Sequence, residues 1–320
     1  MNLAEQIEIS CLMEATARKP GNVHPVASFV DLDYDDFVCA AQAIGRPLAS
    51  VQQAGLGQSV WNAIAATQRE ARSNVNLGIA LLIAPLAAVP SNELLQSGIR
   101  EILAKTTVDD AEQVYAAIRL AVPGGLGKAD SQDVRDRPTI TLRDAMALAA
   151  ERDRIAEQYS TDFAYVLGIA RPWLVESWRW CHELNNVLPK MGELLGLPGV
   201  TSWEAALIRF ELKLLADAPD SLVARKCGLA VATELQQRAA DVHHLDWPSC
   251  KESWPALHRF DHWLRENGHR RNPGTTADLI AATLFAAIRD GLLEAPSREA
   301  VLHHADHIRQ TSVTRVQHDH

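Results

Sequence analysis

At 320 residues with a hydrophobic fraction of 47%, the chain has the length and apolar content for one large globular core or two ordinary ones. A net charge of −9 argues against broad electrostatic binding of nucleic acid, while a local basic pocket for a phosphorylated small molecule remains open. Cys11, Cys39, Cys181, Cys227 and Cys250 lie far apart with no C-x-x-C pair, and the longest apolar run, Leu77 to Val89, contains Pro85 and is too short to span a bilayer, so the expectation is a cytosolic protein with reduced thiols and no membrane anchor.

Helical periodicity dominates from end to end, and alternating runs rich in Val, Ile and Thr are almost absent. The chain reads as all-α, a single large multi-helix domain over 1–320. Residues 2 to 18 carry apolar side chains at helical spacing, Asn2 and Glu5 form a capping-box pattern, and Glu5, Glu8 and Glu14 stand where an export signal would be basic and then apolar. The helix is expected to stop at Lys19, because Pro20 disfavours the α region before it and Gly21 permits a tight turn. The loop Lys19-Pro20-Gly21-Asn22-Val23-His24-Pro25 then offers a lysine, backbone amides and an imidazole. It could receive a phosphate, and the acidic run from Asp31 through Asp33 to Asp36 could hold Mg²⁺. Lys-Pro-Gly is also common turn chemistry, so a plain helix terminator is an equal reading.

A short helix over 34–44 is expected to end at Gly45-Arg46-Pro47, followed by a helix over 48–69 that Gly55 and Gly57 weaken. Asn74-Val75-Asn76-Leu77-Gly78 opens an apolar helix whose start could face an anion, although Asn74 could simply cap it. Ser91 is expected to cap the next helix, Thr107 or Asp109 the one after, and Thr141 and Thr201 or Ser202 later ones. The glycine-rich stretch 122–140 is either a lid or a surface loop, and its spacing is not that of a Walker loop. Trp173, Trp178 and Trp180 share a helix that could supply a homodimer interface, more in keeping with core or interface than with base stacking.

Asp220 to Gly228 places Arg225 and Lys226 side by side, both able to contact phosphate, with Asp220 able to hold a cation or orient a hydroxyl. Asn272-Pro273-Gly274-Thr275-Thr276-Ala277-Asp278 forms a turn and puts Asp278 in the first turn of an apolar helix. The histidine pairs lack a convincing metal spacing.

In this order the segments resemble the triphosphoribosyl-dephospho-CoA synthase family over almost the whole chain. The resemblance rests on Glu14 before Lys19-Pro20-Gly21, on Asp31 and Asp33 before a short helix, on Asn74 and Gly78, on Asp220 through Arg225 and Gly228, and on Pro273-Gly274 with Ala277-Asp278-Leu279. The family pattern Lys-Pro-Gly-Leu-Val-Asp is here altered at Asn22-Val23-His24, Asn-Thr-His-Lys-Gly has become Asn74-Val75-Asn76-Leu77-Gly78, and a histidine two residues before the acidic position is Phe29. The chain therefore resembles a divergent branch, similar to members linked to methanopterin-dependent one-carbon metabolism.

The resemblance implies an ATP-dependent transferase, in which an acceptor hydroxyl of dephospho-CoA or a related precursor displaces adenine from ATP. It implies Lys19, Gly21, Asn74, Gly78, Arg225 and Lys226 as nucleotide and phosphate contacts, Asp31, Asp33 and Asp278 as catalytic carboxylates, and Asp31, Asp33 and Asp220 as ligands of Mg²⁺. Two alternatives are a noncatalytic nucleotide- or CoA-binding regulator and a helical metal-dependent phosphohydrolase. The latter expects a His-Asp pair within a helix, and His318-Asp319 lies in the tail.

Overall fold

A computed structural model describes residues 1–71, 75–122 and 131–318, with side chains through Thr311. Among these are 17 α-helices, one π turn and one 3-10 turn, with no strand beyond two isolated bridges, so the all-α expectation holds. The chain divides into two compact units, one formed by Met1–Cys11, Asp35–Pro172 and Ala281–Leu292, the other by Leu12–Tyr34, Trp173–Ile280 and Leu293–His320.

The first unit is built on the helix Leu77–Ala88, whose residues Ile79 through Ala87 are all buried, as a stretch with almost no polar side chain requires. Tyr159, itself fully buried, satisfies its hydroxyl by donating to Leu81 O at 2.6 Å. The helix Leu56–Glu70 lies against Val108–Ala121 so closely that a Cβ on Gly57 would meet the Asp110 backbone at 2.6 Å. Asp110 also accepts from Gly57 N at 2.8 Å while completing the Thr107 capping box, which makes Thr107 the helix start. Gly55, at φ +87°, interrupts the stretch after Val51–Ala54, as its weakening of the predicted helix suggests.

Two boundaries differ from expectation. The helix Tyr34–Ala49 runs through Gly45-Arg46-Pro47, with Ser50 N still donating to Arg46 O at 3.2 Å. Gly45 serves a close approach rather than a stop, since a Cβ there would lie 2.9 Å from Ala4 O. Ser91 sits in a turn, and the next helix begins only at Leu95.

In the second unit the helix Ser202–Asp217, started by Thr201, is buried on nearly every side and packs on Leu229–His244. Trp247 and Trp254, with ring centroids 5.4 Å apart, close that core together with Phe260 and Leu264 of the helix Ser253–Arg265. The helix Leu3–Thr16 carries the predicted Asn2–Glu5 box, and its final turn delivers the chain into the Lys19–Pro25 loop of this unit.

Candidate active site

The sequence-predicted residues of the second unit fall into a buried set beneath the loop and a more open set beside it. Lys19 belongs to the first. Where an ammonium open to phosphate is expected, Nζ is fully buried, 2.8 Å from Glu14 Oε1, and donates to Glu14 O. Gly21, at φ +76°, donates its N–H to Asp261 Oδ1 at 2.7 Å, and a Cβ there would lie 2.8 Å from Leu264 Cδ1. The backbone amide of Gly21 is thus committed to Asp261.

More of this floor was not foreseen from sequence. Arg18 meets Glu204 through Nε at 2.6 Å and Nη2 at 2.9 Å, and His304 Nε2 reaches the same carboxylate at 2.9 Å. Despite full burial, the Arg18 guanidinium and the His304 contact hold the Glu204 carboxyl far below the usual carboxylate range. Glu211 Oε1 accepts from Asn22 Nδ2 at 2.5 Å, and burial pushes that carboxyl well above its usual value. Burial, followed by the nearby Arg265 charge, depresses His24, so the imidazole is neutral. The available signal was glutamate in an otherwise apolar run: Glu211 stands between Phe210 and Leu212 on a helix whose neighbouring turns are buried.

Beside this floor, two narrow turns bridge His24 to Ala27 and Phe29 to Leu32. The Phe29 ring lies 5.3 Å from the Arg265 guanidinium and 5.9 Å from the His269 ring. Asp31, whose side chain is 60% exposed, contacts His269 Nδ1 at 2.9 Å through Oδ1.

His269 and Arg270 lie in the short turn Gly268–Arg271, which packs on the helix Ser221–Cys227; Arg270 Nη2 donates to Lys226 O at 3.4 Å and Cys227 Sγ to Arg270 O at 3.3 Å. Lys226 is half-buried, and desolvation lowers its ammonium pKa against the opposing pull of Asp220 and, more weakly, Asp31. Arg225 Nη1 donates to Ser221 Oγ at 3.4 Å. Asp31 and Lys226, far apart in sequence, are therefore brought near each other, with His269 on Asp31, Arg270 on the Lys226 carbonyl and Arg225 the preceding residue of the helix. Asp278 is half-buried one turn beyond Thr275, whose hydroxyl is 3.1 Å from Ser221 Oγ.

Asp220 is occupied differently from its expected metal role. At 1% exposure its Oδ1 accepts from Val223 N at 3.0 Å, and its Oδ2 from both Thr276 N and Thr276 Oγ1 at 2.8 Å. It ties together the starts of two helices, and desolvation outweighs these bonds to raise its pKa. Among the described residues no three His, Cys, Asp or Glu side chains form a group able to hold a metal ion. Asp33 is half-buried.

Gly78 lies in the other unit, in the first turn of Leu77–Ala88, where Asn76 occupies the cap position and Asn76 Nδ2 approaches Thr67 Oγ1 at 3.4 Å. Asn74 and much of the 122–140 stretch fall outside the described residues. Of the tryptophans, Trp178 packs on the core of the second unit, Trp180 Nε1 donates to Ser249 Oγ at 3.1 Å, and Trp173 lies 4.9 Å from the Lys213 ammonium. No described helix is long and apolar enough to cross a membrane.

Comparison with known proteins converges on the resemblance. No curated protein matches the chain. A crystal structure from Archaeoglobus fulgidus, described as that of a triphosphoribosyl-dephospho-CoA synthase, superposes with a TM-score of 0.54 at 22% identity, covering 79% of this chain and 98% of its own; it supports the fold. The CitG family model, ATP:dephospho-CoA triphosphoribosyl transferase, matches residues 1–297 and lends no support to the regulator or phosphohydrolase alternatives. The chain accordingly belongs to the ATP:dephospho-CoA triphosphoribosyl transferase family and is an ATP-dependent transferase of the triphosphoribosyl-dephospho-CoA synthase type.

Proposed function

We propose that Arg225, Lys226, Arg270 and His269 hold the triphosphate of ATP, and that Asp31 accepts the proton of the attacking hydroxyl. The observation that carries this reading is the grouping of these four basic side chains with a solvent-accessible carboxylate, in a chain of net charge −9. An arginine fork and an ammonium suit phosphate oxygens, and a partly desolvated site strengthens both interactions.

The reaction balances simply. The acceptor oxygen bonds to C1′ of the ATP ribose as the C1′–N9 bond breaks; the hydroxyl proton passes to Asp31, which releases it to solvent, and adenine takes up a proton from solvent as it leaves. The triphosphate stays on the transferred sugar, where the basic group keeps it in place as positive charge develops at C1′. Where Mg²⁺ accompanies the nucleotide, Asp33 and Asp278 would be the carboxylates to hold it, and the ion would help neutralise the triphosphate. The acceptor is dephospho-CoA or a related cofactor precursor with a free hydroxyl, and the cytosol supplies both substrates.

Chromatographic measurement of free adenine tests the proposal. Wild type with ATP, Mg²⁺ and dephospho-CoA should release adenine in proportion to acceptor consumed. Arg225→Ala with Lys226→Ala should raise KM for ATP on the order of tenfold or more, and Asp31→Asn should lower kcat by about 10²-fold, as loss of a general base does. Undiminished kcat in Asp31→Asn would remove Asp31 from the chemistry.

A further inference from the structure

An open hollow lies on the first unit, where the end of the helix Tyr34–Ala49 and one face of Leu56–Glu70 border a volume of about 330 Å³. Trp61, Ala65 and Arg69 recur every four residues along its wall, which places them on one helix face. Arg46 and Pro47 face them across the opening. The volume falls in the lower part of the range of about 300–1,000 Å³ usual for small-ligand sites.

Its chemistry is unlike the rest of the surface. No carboxylate lines it, although acidic residues outnumber Lys and Arg 40 to 31 in the whole chain. Most arginines elsewhere in the described chain engage a carboxylate or a carbonyl, as Arg171 does with Asp290 and Arg289 with Val89 O. Arg46 and Arg69 have neither among the described residues. Both arginines are exposed on a wall without a carboxylate, so an anion bound there meets positive charge alone. On the same wall Trp61 is 36% exposed, with Pro47 and Ala65 adding apolar surface. Asn62 supplies an amide at the same wall.

We infer that this cavity binds a phosphorylated aromatic heterocycle of mononucleotide size, its ring on the Trp61 indole and its phosphate between Arg46 and Arg69. The site is built wholly within the first unit and shares no residue with the proposed transferase site. Its occupancy is accordingly a separate property of the protein, and the two proposals fail independently.

Isothermal titration with AMP, with inorganic phosphate as the comparison probe, tests the inference. Wild type should bind AMP with one more site per chain than Arg46→Glu/Arg69→Glu, and that variant should keep its adenine-releasing kcat and its melting temperature. Trp61→Ala should weaken AMP at this site about tenfold, the scale of one lost stacking contact, and leave phosphate affinity unchanged. Equal AMP stoichiometry in wild type and Arg46→Glu/Arg69→Glu overturns the site. Equal affinity for AMP and phosphate, or a Trp61→Ala variant that binds AMP as wild type does, overturns the role of the indole.

Discussion

Replacing Glu211 by Gln isolates the electrostatics beneath the loop. Glu211 has 0% exposure, one oxygen accepting from Asn22 at 2.5 Å and the other without a hydrogen-bond partner among the described residues. Burial is the largest influence on its pKa and raises it; Lys19 opposes this, Glu14 and Asp261 reinforce it, and Arg265 opposes it more weakly. Lys19 is already paired with Glu14 at 2.8 Å, which limits what it can offer a second carboxylate. Glu211 is therefore protonated in the folded protein at pH values where the unfolded chain has released the proton. Because the unfolded state then binds fewer protons, stability falls as pH rises from about 4.3, the ordinary glutamate value, up to the folded-state value. Within this window the loss is at most about 1.4 kcal/mol per pH unit. Gln keeps an acceptor for Asn22 and cannot ionise. Glu211→Gln should match wild type near pH 4.5 in urea denaturation and become progressively the more stable protein toward neutrality. A variant weaker than wild type by a constant amount from pH 5 to pH 8 would show that Glu211 is an ionised partner of Lys19, and would refute the reasoning.

Lys19→Met should cost about 3–5 kcal/mol, because it strands the Glu14 carboxylate in the core, and ATP binding should fail only as the fold does. Full stability with ATP affinity alone lost would return Lys19 to the role of a phosphate ligand. Asp220→Ala removes the acceptor for three hydrogen bonds at two helix starts and should lower stability by about 2 kcal/mol or more in thermal melts, with Asp220→Asn recovering part of it. An Asp220→Ala protein that melts with wild type would remove this capping role.

What the sequence made legible was local. Thr107 and Thr201 start helices because their side chains accept from the amide three residues on, and a short-range pattern suffices to find them. Gly45 reads as a stop beside Pro47, but its cause is the Ala4 carbonyl 2.9 Å from where a Cβ would be, more than forty residues earlier in the chain. Lys19 is misleading for the same reason. A lysine after a helix reads as solvent-facing, and only the tertiary fold, which encloses the turn between Glu14, Glu211 and the helix Ser253–Arg265, makes it a core ion pair. Arg225 and Lys226 stand out in the sequence because adjacent cations need no distant partner to be noticed. His269 and Arg270 do not, since nothing in their own segment announces Asp31.

The three positions at which the loop departs from the family pattern have distinct physical fates. Asn22 is spent on Glu211 and His24 is buried and neutral, so both support the loop from below. Phe29, which replaces a histidine two residues before the acidic position, turns its ring to Arg265 and His269. The imidazole missing from the loop is matched by His269, 238 residues further along the chain, whose Nδ1 lies 2.9 Å from Asp31. An imidazole beside the carboxylate can orient it and share the proton it accepts, whichever segment supplies the ring. Asp31 thus has an imidazole neighbour that a distant segment supplies, although the loop itself carries Phe29.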